Sequence, residues 1–572
     1  MKLMRYHAAA IAVVAALNVQ ASDSYEALGT FNINPSGNAP LTALIKKSGQ
    51  PDINKVTVTV AGKGKNGLPI SYDVTKESLR HYNGVPVFGL YPDHNNTVTV
   101  DYMSQGKQNQ QTFNMFTQPI NGVSVDGSYA PYESVNPVKV KEGFEDRLYW
   151  VNNIIKDSGD QHGLVRNKGG AFEWTYAPVN FITDTQGDIR WYLKHDNIFD
   201  TSNPDKVGVL QGVKQTASGD IIFAQGQRYY RMDMLGNMIY ERRLPEGYTD
   251  FSHEIRELDN GNILIRVAKK DYVRPDGDVV STVRDHIIEV DQHGKVIDVW
   301  DLNTILDPLR DDLLKALDRG AVCLNVDLDS AGQTMEIEPD APYGDSPGIG
   351  TGRNWAHVNS VDYDPTDDSI VLSVRHQGSV KIGRDKEVKW ILSPRAGWKN
   401  GLEEKVLTPI NANGTPIHCT ESGLCDGDEF EFSYMQHTAW LAKEKGTLLV
   451  FDNGDARHLE QPPFQSMKYS RAVEYKIDME NMTVQQLWQY GKERGYEWYS
   501  PITSSVNYEA DKDTYLIYAA SAGLFEPEKK WPYYVMEVGY GTDDVKVELE
   551  IHPSAARNIG YQAININVDV MF

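Results

Sequence analysis

Three cysteines in 572 residues are too few for the disulfide-stapled scaffolds that small exported domains use. Basic side chains are also short, 56 Lys and Arg against 79 Asp and Glu, giving a formal net charge of −23 and a pI near 5.1. Such a chain lacks the broad basic surface that grips nucleic acid or an anionic membrane, although one local basic site is compatible with it. No stretch after residue 21 approaches the length of about 20 apolar residues that a membrane-spanning helix requires. Stock catalytic sequences are missing too: there is no Walker P-loop, no H-E-x-x-H and no G-x-S-x-G. The single G-x-G-x-x-G match, Gly62–Gly67, precedes strand-forming residues rather than a helix, so it reads as a hairpin turn. Chemistry that depends on a bound nucleotide donor is therefore not expected.

What is present is enough apolar material, 40% hydrophobic and 10% aromatic, to build a sizeable core. Residues 1–21 combine a basic start, the short apolar run Ala8–Leu17 and small residues at Val19 and Ala21. That is the pattern of a secretory signal peptide, and the run is too short for a retained anchor. Its removal takes away Lys2 and Arg5, so the mature chain is more acidic still. Export favours a short-loop disulfide between Cys419 and Cys425, which enclose T-E-S-G-L, over a metal-binding pair. Cys323 is then left over as a buried thiol.

Residues 22–140 contain alternating stretches such as Val56–Val60 and Thr97–Tyr102, separated by turn clusters such as Pro92–Asn96. Period-two alternation with Gly, Asn and Pro punctuation predicts a small N-terminal β-sandwich. From residue 141 to 572 two hairpin patterns recur. One is a strand ending in Asp, a glycine turn and a returning strand, as in Phe181–Trp191, Tyr230–Ile239 and Ile288–Trp300, with Asn in place of the Gly in Tyr475–Val484. The other is a short strand, a polar turn and an apolar strand, as in Gln211–Phe223, His253–Ile265, His357–Val374, His437–Val450 and Ser504–Tyr518. Two hairpins per repeat predict an all-β β-propeller of four-stranded blades rather than an array of β-sandwiches. Six blades would have about 72 residues each, longer than a four-stranded blade needs, so insertions must lie between strands. One is expected to be helical over Leu309–Leu317, opened by Asp307-Pro308 and stopped at Gly320. The alternating end, Ile564–Phe572, is expected to close the ring by pairing into the first blade.

The repeat also aligns three histidines. His253, His357 and His437 each begin the strand before the polar turn, where other repeats carry Gln211 or Gly212 and Ser504. Innermost strands of a propeller line its channel, so one register in several blades converges on one spot. A purely structural role, with the histidines tying neighbouring strands together, is the bland alternative. Asn359 lies two residues beyond His357 on the same strand face, which places it for substrate binding. Arg375 closes the following apolar strand and precedes His376. A guanidinium beside imidazoles makes a site for a sulfate, phosphate or carboxylate; an ordinary salt bridge is its plain alternative. Two chemistries fit: a metal-dependent hydrolase or lyase, or nucleophilic transfer by a neutral imidazole. A fixed positive charge disfavours a dication and favours a transferring anionic group, so no metal and no cofactor are expected.

Four separated segments, Phe251–Ile255, Asn354–Asn359, Leu372–Arg375 and Tyr434–Thr438, resemble the bacterial arylsulfate sulfotransferases, a likeness that extends over essentially the whole mature chain. The resemblance implies that the β-propeller is six-bladed. It also implies a periplasmic homodimer that moves sulfate between phenols without a nucleotide, its donor an aryl sulfate and its acceptor a phenol. It implies that His437 is the nucleophile that becomes transiently sulfated, and that His253, His357 and Arg375 hold and polarise the sulfuryl oxygens. It makes Cys419 and Cys425 the family disulfide, formed by periplasmic disulfide machinery, and it assigns Cys323 no role.

Overall fold

In the N-terminal segment the period-two pattern becomes period-two burial. In Ile53–Val60, Val56, Val58 and Val60 point inward, and in His94–Ser104 Val98, Val100 and Tyr102 do the same. These strands lie in a four-stranded sheet with Ile70–Val74 and Lys107–Thr117, which packs on a three-stranded sheet of Leu28–Ile33, Thr42–Lys47 and Gly84–Phe88. Residues 61–69, containing the G-x-G-x-x-G match, connect two antiparallel strands of the larger sheet, as a hairpin turn should. The computed structural model describes residues 27–49, 52–120, 122–125, 128–130, 132–155, 164–166, 172–174, 177–200, 202–203, 205–310, 350–459, 464–554 and 558–572. The export signal at 1–21, Cys323 and all but the start of the helix expected at Leu309–Leu317 lie outside them. Among the described residues no helix is long and apolar enough to cross a membrane.

Besides short two-stranded sheets, the described residues of the rest of the chain form six sheets built on four antiparallel strands, some with an added strand. Their innermost strands are Gln211–Gln215, Ile255–Glu257, Val358–Asp364, Thr438–Ala442, Ser505–Glu509 and Asn558–Asn565. Each contacts the next, and the last contacts the first, closing a ring of six. The two recurring hairpins of the sequence are the inner and outer pairs of these sheets. The chain end closes the ring, since Asn558–Asn565 pairs with Leu148–Ile155 as the innermost strand of the first sheet. Of the segment Ile564–Phe572 expected to do this, only Ile564 and Asn565 pair with the first sheet, and the closing strand is built mainly from the residues before it. Asn567 caps a 3-10 turn, Val568–Val570, by accepting from Asp569 N–H. Phe572 then packs against Tyr72 and Tyr82 of the N-terminal domain at 5.4 and 6.0 Å between ring centres. Burial of that ring and the capped turn take the place of strand pairing over the last seven residues, 566–572. Ser134–Val140 joins the outer edge of the sixth sheet through Val545–His552, so pairing with the propeller begins before residue 141.

The two ends of the ring differ. Turns within the inner and outer hairpins have only four or five residues, as in Thr216–Asp220, Lys443–Gly446 and Asp291–Lys295. Among the described residues, the ends of the strands that flank the long connections 270–285, 393–437, 491–504 and 520–532 lie at the other end. That end is where the innermost strands begin.

Candidate functional site

His357, His437 and Ser504 stand immediately before the innermost strands of three successive sheets, and His253 two residues before that of the preceding sheet. Three of these positions are backbone turns with positive φ, at 72° for His253, 50° for His357 and 81° for Ser504, and Gly212 matches them at 69°. Non-glycine residues rarely occupy this region, and such strain clusters where a side chain must be aimed. The turns bring the imidazoles together from sequence positions far apart. Ring centres of His253 and His357 are 5.4 Å apart, and those of His253 and His437 are 5.9 Å apart. His376 extends the cluster, 5.4 Å from His357. All four are buried.

Each ring has a fixed neighbour. Ser252 Oγ lies 2.5 Å from His253 Nδ1, and Asn354 Nδ2 lies 2.8 Å from His357 Nδ1. His437 Nδ1 lies 2.8 Å from Asn453 Oδ1, while its Nε2 is buried with no hydrogen-bond partner among the described residues. Arg375 Nη1 donates to Met435 O at 2.6 Å and stands 3.3 Å from His437 Nδ1. Its Nη2 donates to Pro501 O at 3.3 Å and faces Asp455 at 3.7 Å. Asn359 is buried beside the residue before His437: its Nδ2 donates to Gln436 O at 3.1 Å, and its Oδ1 has no partner among the described residues. The structure thus brings together all the residues that the repeat singled out.

Electrostatics make the imidazoles neutral. Burial, then Arg375, holds His437 well below the ordinary imidazole range. Burial followed by Arg266 and Arg284 does the same for His253, and burial followed by Arg284 and His376 for His357. His376 is pushed down to about 3, again by burial and then Arg375. Burial pushes the nearby Asp455 carboxyl the other way, against the pull of Arg375. A buried pocket with guanidinium charge and neutral rings suits an anion, and an unprotonated ring nitrogen in it can act as a nucleophile.

Sequence reasoning missed Arg266, Arg284, Asn453 and Asp455. Arg284, with φ of 50°, comes from the 270–285 connection, and Asn453 and Asp455 come from 453–470. Arg284, Asn453 and Asp455 have no counterpart in the repeat register, and Asp452-Asn-Gly-Asp455 reads from sequence as an ordinary turn. Arg266, by contrast, sits in strand Ile263–Lys269, the equivalent of the strand that Arg375 closes in the next sheet. The disulfide joins Cys419 to Cys425. Its loop braces the residues before His437, because Tyr434 OH donates to Ser422 O at 3.0 Å. Gly423, at φ +87°, makes that approach possible, since a Cβ there would sit 2.4 Å from the Tyr434 hydroxyl.

Residues 134–562 match the family model described as arylsulfotransferase (ASST), and residues 30–118 match the arylsulfotransferase Ig-like domain. The chain is 49% identical over 561 residues to an arylsulfate sulfotransferase AssT of Lelliottia amnigena, covering 95% of this chain and 94% of that one. It is 48% identical, with the same coverage, to the arylsulfate sulfotransferase AssT of Escherichia coli O6:H1. Among solved structures, a protein of unknown function from Bacteroides caccae aligns at 10% identity with a TM-score of 0.35, covering 74% of this chain and 99% of that one.

Proposed function

Because the chain belongs to the arylsulfotransferase family, we propose that it moves a sulfuryl group from a phenolic sulfate ester to another phenol, by a ping-pong route and without a nucleotide donor. The observation that carries this reading is the meeting of three neutral imidazoles with Arg375 in one buried pocket. The donor's sulfuryl oxygens face Arg375, His253 and His357, with Asn359 completing the substrate contacts. His437 attacks sulfur in line. An N–S bond forms as the S–O bond to the aryl group breaks, and the electron pair leaves on the phenolate oxygen. A sulfohistidine remains. The second phenol loses its proton and attacks the same sulfur, and the imidazole departs neutral. The proton given up by the acceptor balances the one taken up by the released phenolate. Phenolate is a good leaving group, so acid–base help from one of the flanking histidines suffices.

The same reading makes residues 1–21 an export signal and the periplasm the site of action, with a homodimer as the working form. Disulfide-forming machinery there closes Cys419–Cys425 during maturation. The test is transfer from a chromogenic aryl sulfate to added phenol in the absence of any nucleotide. His437→Asn is expected to lose both donor cleavage and transfer while remaining folded. Peptide mapping of donor-treated wild-type protein should find the added group on His437, and finding it on another residue would overturn the nucleophile assignment.

A further inference from the structure

Asn453 follows the strand Thr447–Asp452 and is fully buried. Its Nδ2 donates to two backbone carbonyls, Ser500 O at 2.7 Å and Thr503 O at 2.9 Å. Two acceptors around one amide atom identify it as nitrogen, so the amide cannot be flipped and Oδ1 must face His437. An amide oxygen only accepts hydrogen bonds. The 2.8 Å contact therefore requires His437 Nδ1 to carry the hydrogen. Arg375 Nη1 also approaches Nδ1, at 3.3 Å, and beyond the hydrogen it gives Met435 O at 2.6 Å it has a second that only a bare Nδ1 could accept. The shorter contact, to an amide oxygen that cannot donate, decides for a hydrogen on Nδ1. In a neutral ring with hydrogen on Nδ1, the lone pair sits on Nε2. That is the atom left without a partner.

We propose that Asn453 is a positioning residue that locks His437 in the Nδ1–H tautomer and so presents the Nε2 lone pair to the sulfur atom. This rests on the reading of His437 as nucleophile. As the Nε2–S bond forms and the S–O(aryl) bond breaks, its electron pair leaves on the phenolate. Positive charge then develops on the ring. The hydrogen stays on Nδ1 and is accepted by Asn453 Oδ1, in a contact that strengthens as that charge grows. Collapse of the intermediate onto the acceptor oxygen returns the same tautomer, so no proton on His437 has to move during the cycle. The segment 491–504 supplies both carbonyls that orient Asn453 and, through Pro501 O, one that holds Arg375. One connection thus sets the nucleophile's tautomer and steadies the anion clamp.

The experiment compares Asn453→Leu and Asn453→Asp in the full chain with a chromogenic aryl sulfate, following the first release of phenol and its pH profile. Asn453→Leu is expected to slow that step by roughly 10²–10⁴-fold, the range spanned by losing an oriented donor or a catalytic tautomer, with KM little changed. Asn453→Asp accepts the same hydrogen and restores much of the rate at alkaline pH. Its charge raises the ring pKa, so the acid limb of kcat/KM moves to higher pH. In histidine-labelled wild-type protein, the nitrogen resonances that vanish in His437→Asn should report a protonated Nδ1 and a bare Nε2. A protonated Nε2 there, or an Asn453→Leu rate within threefold of wild type with an unmoved profile, overturns the proposal. The resonance measurement decides alone if both variants misfold. Failure of the underlying reading looks different: the sulfuryl group then maps to a residue other than His437, whatever the tautomer.

Discussion

Replacing Arg375 separates chemistry from scaffolding, because the side chain serves both. The guanidinium donates to Met435 O and Pro501 O and faces Asp455 at 3.7 Å, and all of these groups are buried. Arg375→Leu strands the Asp455 carboxylate without its guanidinium, a loss of about 3–5 kcal/mol for a broken buried pair. The deserted carbonyls add about 1–3 kcal/mol each. Removing a donor aimed at the sulfuryl oxygens costs, independently, roughly 10²–10³-fold in turnover. The single variant confounds the two effects. Arg375→Leu/Asp455→Asn parts them, since it removes the uncompensated charge but returns no donor to the substrate. Urea unfolding should show the double variant recovering part of the lost stability. Initial rates, measured well below the unfolding transition, should stay as low as in Arg375→Leu. Turnover that returns to within tenfold of wild type as stability returns would refute the anion clamp and make Arg375 a structural partner of Asp455.

Three further outcomes are expected. The channel imidazoles His253, His357, His376 and His437 all have folded pKa values depressed below the unfolded value near 6.5. The folded state then binds fewer protons, so their contribution is present above pH 6.5 and lost as pH falls; at pH 5 the loss is about 2 kcal/mol per ring, and a flat urea midpoint from pH 7.5 to 5 would contradict it. Glu133 behaves oppositely, for burial pushes it up to about 7 even though Asn153 and Asn558 donate to it at 2.6 and 2.9 Å. Its protonated form is favoured in the fold, so its contribution is present below about pH 4.5 and lost as pH rises through 7. Glu133→Gln should therefore gain on wild type by up to about 3 kcal/mol between pH 5 and 8, where a constant difference would show that burial does not govern this carboxyl. Cys419→Ala/Cys425→Ala should fold with a loss of about 2–3 kcal/mol and reduced activity or yield, because the loop braces Tyr434 three residues before His437. Non-reducing mass spectrometry of the mature protein should link these two cysteines and leave Cys323 free.

How much of this was readable in advance follows the range of the forces involved. The inner and outer hairpins were readable because period-two burial and four- or five-residue turns are local, and His253, His357 and His437 because the repeat carries them in one register. The end of the last strand was not, because Asn567 turns the chain and Phe572 finds Tyr72 and Tyr82 in a domain nearly 500 residues earlier. Arg284, Asn453 and Asp455 were hidden for a different reason. They come from connections with no repeat counterpart, and their local sequences advertise only turns. The division has a chemical consequence. A repeated strand start can deliver the same residue type from several blades, but symmetric delivery cannot make one imidazole differ from the next. What distinguishes His437 from His253 and His357 is its set of neighbours: Asn453 Oδ1 at Nδ1, an open Nε2, and Arg375 alongside. Asn453 comes from an irregular connection, and the 491–504 connection orients both it and Arg375. Grafting the histidine register alone onto a bare six-bladed scaffold would accordingly reproduce the cluster without its asymmetry, and with no ring nitrogen singled out to attack.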